Sequence, residues 1–378
     1  MDHALDSETA VQTFVLGELP ACTPPGARFF LKTSLDGWTG GLPELEFHRA
    51  EGRWVLRRAY PTGALLAYKV TRDAAGSEEG DAWGQRCPDR FALVQGEATH
   101  VLDVQRWQDH SSSPRPSSLT GRTEAFTVHS PELDDDFTVI VWVPPQYELP
   151  GARFPVLYLH DGGNVFDCAT AFAGVEWGCD EAALALAETG LPCLMVAVTV
   201  RNAHRAADYV PFAVLTNNFE SSAEGYQTFL ADTLKPLIDL RFRTLPDARH
   251  TAQAGSSYGG IASLYGGLSR PQVWGTIGAF SPSLEVHDKA LFTWSAERPA
   301  PRSRLYRSHL YLDMGTLEGD SVTEAAELVE LTRRYAAQMQ GDVQDVKLVI
   351  GEGHRHDEAA WAKRFPGFLR WWRERLDR

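Results

Sequence analysis

Apolar and polar positions change their rhythm once along this chain of 378 residues. The early apolar positions fall in short runs, ARFFLKTS, GRWVLRRAYP, ALLAYKVTR and THVLDVQRW, bounded by Gly, Pro or Asp. Runs of that length separated by turn chemistry such as LDGWTGG and PTGA predict strands. No long helical periodicity interrupts them, so residues 1–110 are expected to form a small all-β sandwich domain. Beyond residue 123 the pattern alternates. FTVIVWVPP, FPVLYLHDGG, PCLMVAVTV, HTAQAGSS, WGTIGAFSP, SHLYLDMGT and DVKLVIGEG read as strands, the second apolar enough to be covered on both faces. Between them lie helical segments: CDEAALALAETG, SAEGYQTFLADTLKPLIDLRF, IASLYGGLSRPQ and VTEAAELVELTRRYAAQM. In the last, Leu328, Leu331, Tyr335 and Met339 recur at three- and four-residue spacing and predict one buried stripe. Pro236 inside the second predicts a kink or a second helix start. Strands alternating with helices predict an α/β fold over residues 123–378, a mostly parallel sheet with helices on both faces. The serine-rich, proline-containing stretch between the two halves reads as a linker over residues 111–122.

Composition narrows the function classes. A hydrophobic fraction of 43% with 23% charged residues describes a soluble globular protein. The formal net charge is −14 and no lysine or arginine cluster occurs, which argues against nucleic acid or an anionic membrane as partner. The N-terminal MDHALDSETAVQTFVLGELP has no basic region followed by an apolar stretch, so no signal peptide is expected. No apolar run reaches the length of about 18 residues that a membrane span needs. The five cysteines are odd in number and scattered, without C-x-x-C spacing, which predicts neither a disulfide framework nor a zinc site. A cytoplasmic location and no cofactor are the expectation.

The chemistry concentrates in four short segments. Gly255-Ser256-Ser257-Tyr258-Gly259 fits G-x-S-x-G, a serine on a tight turn between strand and helix. Its bland reading is a helix N-cap serine. Tyr258 would offer one backbone oxyanion donor. A second donor is expected from Gly163 or Asn164 in VLYLHDGGNVFD, where an apolar strand runs into glycines. His354 and His356 follow the last strand, where a general base belongs, and two histidines with Asp357 make too thin a ligand set for a metal. Asp313, Glu318 and Asp320 in YLDMGTLEGD offer the acid that orients the base, the last two in the loop beyond the strand. Serine, acid, histidine is the chain order of α/β-hydrolases.

Together LYLHDGGNVFD, GSSYGG, YLDMGTLEG and HDEAAW resemble the esterase-D type hydrolases, which include enterochelin esterases, feruloyl esterase domains and mycolyltransferases. Gly163 stands where that family commonly has Gln, and Tyr258 where Met is commoner. The resemblance implies His356 as the base, from its spacing to Glu358 and Trp361, and Glu318 as the acid. It also implies Arg205, Asp208, Tyr209 and Trp361 as substrate-binding residues at the mouth of the site. FFLKTSLDGWTGG with GRWVLRRAYPTGALLAYKVTRD resembles the Ig-like sandwich of glycogen- and starch-binding modules, through Trp38, Trp54 and Tyr68. Core packing is the expected role of those aromatics, with weak glycan binding as an added partner. The reading is a metal-independent serine esterase acting on a small-molecule ester, similar to siderophore esterases. Two alternatives stay open: acyl transfer by the same triad, and a glycan-binding protein whose hydrolase domain is only a scaffold.

Overall fold

The computed structural model describes residues 8–73, 77–111, 113–212, 220–298 and 307–376. The first seven residues of the expected sandwich, its residues 74–76 and Ser112 of the expected linker lie outside these. The chain divides into two compact units. The first holds residues up to Ser117 together with Phe172–Val175 and Leu317–Ala326; the second holds the rest.

The first unit is built from β1 (Thr9–Leu16), β2 (Phe29–Thr33), β3 (His48–Ala50), β4 (Arg53–Pro61), β5 (Leu65–Arg72), β6 (Ser77–Gly80), β7 (Arg90–Leu93), β8 (Ala98–Leu102) and β9 (Arg106–Trp107). One sheet runs β3-β4-β1-β8; the other runs β2-β5-β6-β9, with β7 on β5. In β1, Ala10, Phe14 and Leu16 turn inward while Thr9 and Val11 face out, the period-two pattern of a half-covered strand. Phe14, Phe29, Leu31, Phe47, Tyr68 and Trp107 fill the core. Tyr68 is thus a core residue, and half-buried Trp54 packs on that core with its ring 4.7 Å from the Arg49 guanidinium. Half-buried Trp38 lies 5.7 Å from the Lys69 ammonium, which is itself ion-paired with Asp89 at 2.8 Å.

The second unit carries an eight-stranded sheet in the order β10-β11-β13-β12-β14-β15-β16-β17. The strands are β10 (Arg122–Ser130), β11 (Asp135–Val143), β12 (Val156–Leu159), β13 (Leu194–Val198), β14 (Thr251–Ser256), β15 (Thr276–Phe280), β16 (His309–Gly315) and β17 (Asp345–Gly351). The β10–β11 and β11–β13 pairs are antiparallel, and the remaining pairs are parallel. Residues of β12, β13 and β15 are buried throughout, as expected of strands covered on both faces. The helices are α1 (Cys179–Glu188), α2 (Arg205–Tyr209), α3 (Ala223–Thr228), α4 (Lys235–Arg241), α5 (Tyr258–Ser269), α6 (Val286–Glu297), α7 (Val322–Met339) and α8 (Glu358–Leu376). Among the described residues no helix is long and apolar enough to cross a membrane. The expected stripe on α7 is buried at Leu331, Tyr335 and Met339 and half-buried at Leu328.

Two local details follow from the sequence. Between α3 and α4 the chain widens to a π-helical turn over Phe229–Leu234, with the Lys235 N–H donating to the Leu230 carbonyl. Pro236, next in line, has no N–H to give and sits in the first turn of α4, so the helix restarts there. The second half of the stretch read as linker is pinned rather than loose. The Ser118 N–H donates to Asp167 at 3.1 Å, and Thr120 donates to buried Asp180 through its N–H at 2.6 Å and its hydroxyl at 2.9 Å.

Candidate active site

The end of β14 delivers Ser257 into a conformation that L-residues avoid, with φ 56° and ψ −121°. Its N–H donates to the Phe280 carbonyl at 2.9 Å, and its own carbonyl starts α5 by accepting from Gly260 and Ile261. Tyr258 is the first helical residue, so its N–H has no acceptor within the helix. Glycine is required on the near side of the turn. A Cβ on Gly255 would lie 2.8 Å from the Gly259 backbone and 2.9 Å from the His160 ring. Gly255→Ala should therefore cost about 1–3 kcal/mol, the range for an overpacked core. Gly367 on α8 has nothing within 4 Å of such a Cβ and should accept alanine without loss. Urea denaturation of both variants checks the contrast.

Behind the turn lies a buried polar layer. His160 Nδ1 is 2.9 Å from the Tyr226 hydroxyl, and burial pushes the imidazole down to about 4. A histidine depressed this way is neutral in the folded protein, while the unfolded chain takes up a proton at its ordinary value of 6.5. The stability it permits is complete above that value and is lost as pH falls toward 4, by roughly 3 kcal/mol. His160→Gln should remove this step from the curve of unfolding free energy against pH.

Next along the chain, Asp161 adopts the left-handed conformation at φ 53° and opens the Gly162–Asn164 turn. Arg205 grips its carboxylate with two bonds, at 2.7 and 2.8 Å, and the Asp161 N–H donates to the Tyr209 hydroxyl at 3.0 Å. Burial disfavours the Arg205 charge, but the paired carboxylate outweighs it and leaves the guanidinium more firmly protonated than usual. The same guanidinium lies 5.2 Å from the Tyr209 ring and 5.7 Å from the Tyr258 ring, joining the Asp161 turn to the serine turn. The Asn164 N–H is taken up inside its own turn, bonded to the Asp161 carbonyl at 2.8 Å.

Of the residues expected at the mouth, only Arg205 is partly exposed, at 32% of its side chain. Asp208, Tyr209 and Trp361 are instead buried. The reason is that each is held by a polar partner inside. Asp208 pairs with Arg201 and accepts from the Ser222 hydroxyl at 2.6 Å, Tyr209 accepts from Asp161, and Trp361 donates to the Ser281 hydroxyl at 3.0 Å.

The loop between β17 and α8 carries both histidines. His356 is exposed, and its ring meets the Trp361 ring edge-on with centroids 5.1 Å apart. His354 is half-buried, with Nδ1 accepting from Arg364 at 3.2 Å. Arg364 also reaches buried Asp313 at 3.0 Å and the Ser281 hydroxyl at 2.7 Å. Glu358, at the start of α8, receives a long bond of 3.5 Å from the Asn164 amide. Burial pushes its carboxyl up to about 7, and the carboxylates of Asp357 and Asp161 add to the rise. Glu318 is 1% exposed and Asp320 is exposed, both on the segment grouped with the first unit. The structure does not hydrogen-bond Ser257 to either histidine; its hydroxyl lies 3.2 Å from that of Ser283. Neither Ser283 nor Arg364 was singled out from the sequence, since each acts through partners far along the chain.

A parallel sheet with this strand order and a strained serine at the end of its fifth strand in sequence define the α/β-hydrolase class. Residues 130–372 match the family described as "Putative esterase". The chain belongs to that family and is a carboxylic ester hydrolase. Among curated proteins, YbbA of Bacillus subtilis (strain 168), described as uncharacterized, is 23% identical over 241 residues, 61% of this chain and 90% of that protein. Among solved structures, the enterobactin esterase FES from Shigella flexneri is 16% identical, with a TM-score of 0.58 over 92% of this chain and 89% of that one. The siderophore hydrolase EstB from Aspergillus nidulans is 18% identical, with a TM-score of 0.54 over 69% of this chain and 98% of that one.

Proposed function

We propose that this esterase works through Ser257 as nucleophile, His356 as general base and Glu318 as the acid that orients it. The observation that carries the reading is the strained serine turn, which presents Ser257 beside the first N–H of α5. Ser257 attacks the ester carbonyl carbon, and His356 takes its proton and returns it to the leaving alcohol. The Tyr258 N–H and the Gly163 N–H face the developing oxyanion, each worth on the order of 10²–10³ in rate. Gly163 is preferred to Asn164 because the Asn164 N–H is already bonded within its turn. Water then releases the acyl group.

The choice of histidine rests on Arg364. A guanidinium can only donate, so Nδ1 of His354 holds a lone pair and Nε2 holds the proton. That is the wrong tautomer for a base acting through Nε2. Glu318 is preferred to Asp320 because a triad acid is shielded from water, and of the two only Glu318 is buried. The substrate is a small-molecule ester. The likeness to siderophore esterases makes siderophore esters and lactones the first to try, ahead of aryl esters and acylated sugars. Pre-steady-state kinetics with an activated aryl ester should show a burst of phenol equal to the enzyme concentration, the mark of an acyl-enzyme. Where deacylation is shown to be rate-limiting, a linear onset would contradict the mechanism.

A further inference from the structure

We propose that Ser283 is a positioning residue for the nucleophile, an inference that rests on the reading of Ser257 above. Ser283 lies just past β15 and is 8% exposed. Its hydroxyl is 3.2 Å from the Ser257 hydroxyl, and its N–H donates to the Ser257 carbonyl at 3.4 Å. With the bond from the Ser257 N–H to the Phe280 carbonyl, residues 280–283 hold Ser257 at its N–H, its carbonyl and its Oγ.

That segment is itself fixed. Ser281 sits at φ 39°, its N–H donates to Asp313 at 2.9 Å, and its hydroxyl accepts from Trp361 at 3.0 Å and Arg364 at 2.7 Å. Trp361 is the ring against which His356 packs. One short segment therefore registers both the serine turn and the histidine loop. A serine side chain has three staggered positions, and only one can aim Oγ at a bound carbonyl. Either hydroxyl could donate across this contact; in the proposed role Ser283 donates to Ser257 Oγ and so selects that position. The Ser257 proton is left to be directed at the base, and Ser283 keeps its own proton throughout.

The test uses the full chain, with a fluorophosphonate as probe and its adduct located by peptide mass spectrometry. Ser283→Ala should slow labelling of Ser257 and lower kcat by about 10- to 100-fold, the range for a slightly misplaced reacting group, with KM little changed. Ser283→Thr, which keeps the hydroxyl, should recover most of the labelling rate. A merely structural hydroxyl would shift the melting temperature of Ser283→Ala and leave labelling of the folded protein unchanged; that result overturns the inference. So does a folded Ser283→Thr that labels as slowly as Ser283→Ala. If the wild-type protein is labelled away from Ser257, the nucleophile assignment fails first and this inference with it.

Discussion

Ser257→Ala should lower ester hydrolysis by at least about 10³-fold while the protein keeps its fold, the size expected when a triad nucleophile is removed. The expectation comes from the backbone. A serine held at φ 56° costs stability, and such strain persists where the surroundings over-determine it and the site uses it. Here the surroundings are the Phe280 carbonyl, the two N–H groups at the start of α5 and the Ser283 N–H. Alanine meets the same backbone restrictions as serine, so loss of activity should not come with loss of structure. Circular dichroism and urea midpoints check the fold, and turnover of an activated ester checks the chemistry. Near-wild-type turnover in a folded variant would remove Ser257 from the mechanism.

His356→Ala should cost about 10³-fold or more in kcat, and His354→Ala far less. The two residues share a loop but differ in surroundings. His354 is tied through Nδ1 to an arginine that reaches Asp313 and Ser281, so its loss should register chiefly as stability of the loop. His356 is exposed and meets the edge of the Trp361 ring, and its loss should fall on the chemistry, as its proposed role as base requires. Steady-state kinetics on both variants, with thermal denaturation alongside, separates the outcomes. A larger kcat loss in His354→Ala than in His356→Ala would reverse the assignment.

How much of this was legible in the sequence depends on how local the signal is. The serine turn was legible because its glycines answer to contacts within a few residues, as the close approach of Gly255 to the Gly259 backbone shows. The alternation of strands and helices in the second unit was legible because both-face burial leaves unbroken apolar runs such as VLYL and LMVAV. The first strand, TAVQTFVL, is not among the expected runs, although its inward positions alternate. Asp208, Tyr209 and Trp361 illustrate the opposite limit. Their residue types suit a binding mouth, but partners at Arg201, Asp161 and Ser281 draw them inside. The pairing of Ser283 with Ser257 spans 26 positions and has no local periodicity to announce it. The same holds for Arg364 with Asp313, where an aspartate inside a strand gave no hint that a helix far downstream would neutralise it.

In the proposed mechanism Ser257 forms the covalent bond to the acyl group. Incubating the active protein with a fluorophosphonate, digesting it and sequencing the modified peptide by mass spectrometry tests this most directly. One adduct is expected, on Ser257, and its appearance should track the loss of esterase activity. Full inactivation with the adduct on another residue, or full activity retained with Ser257 modified, would contradict it.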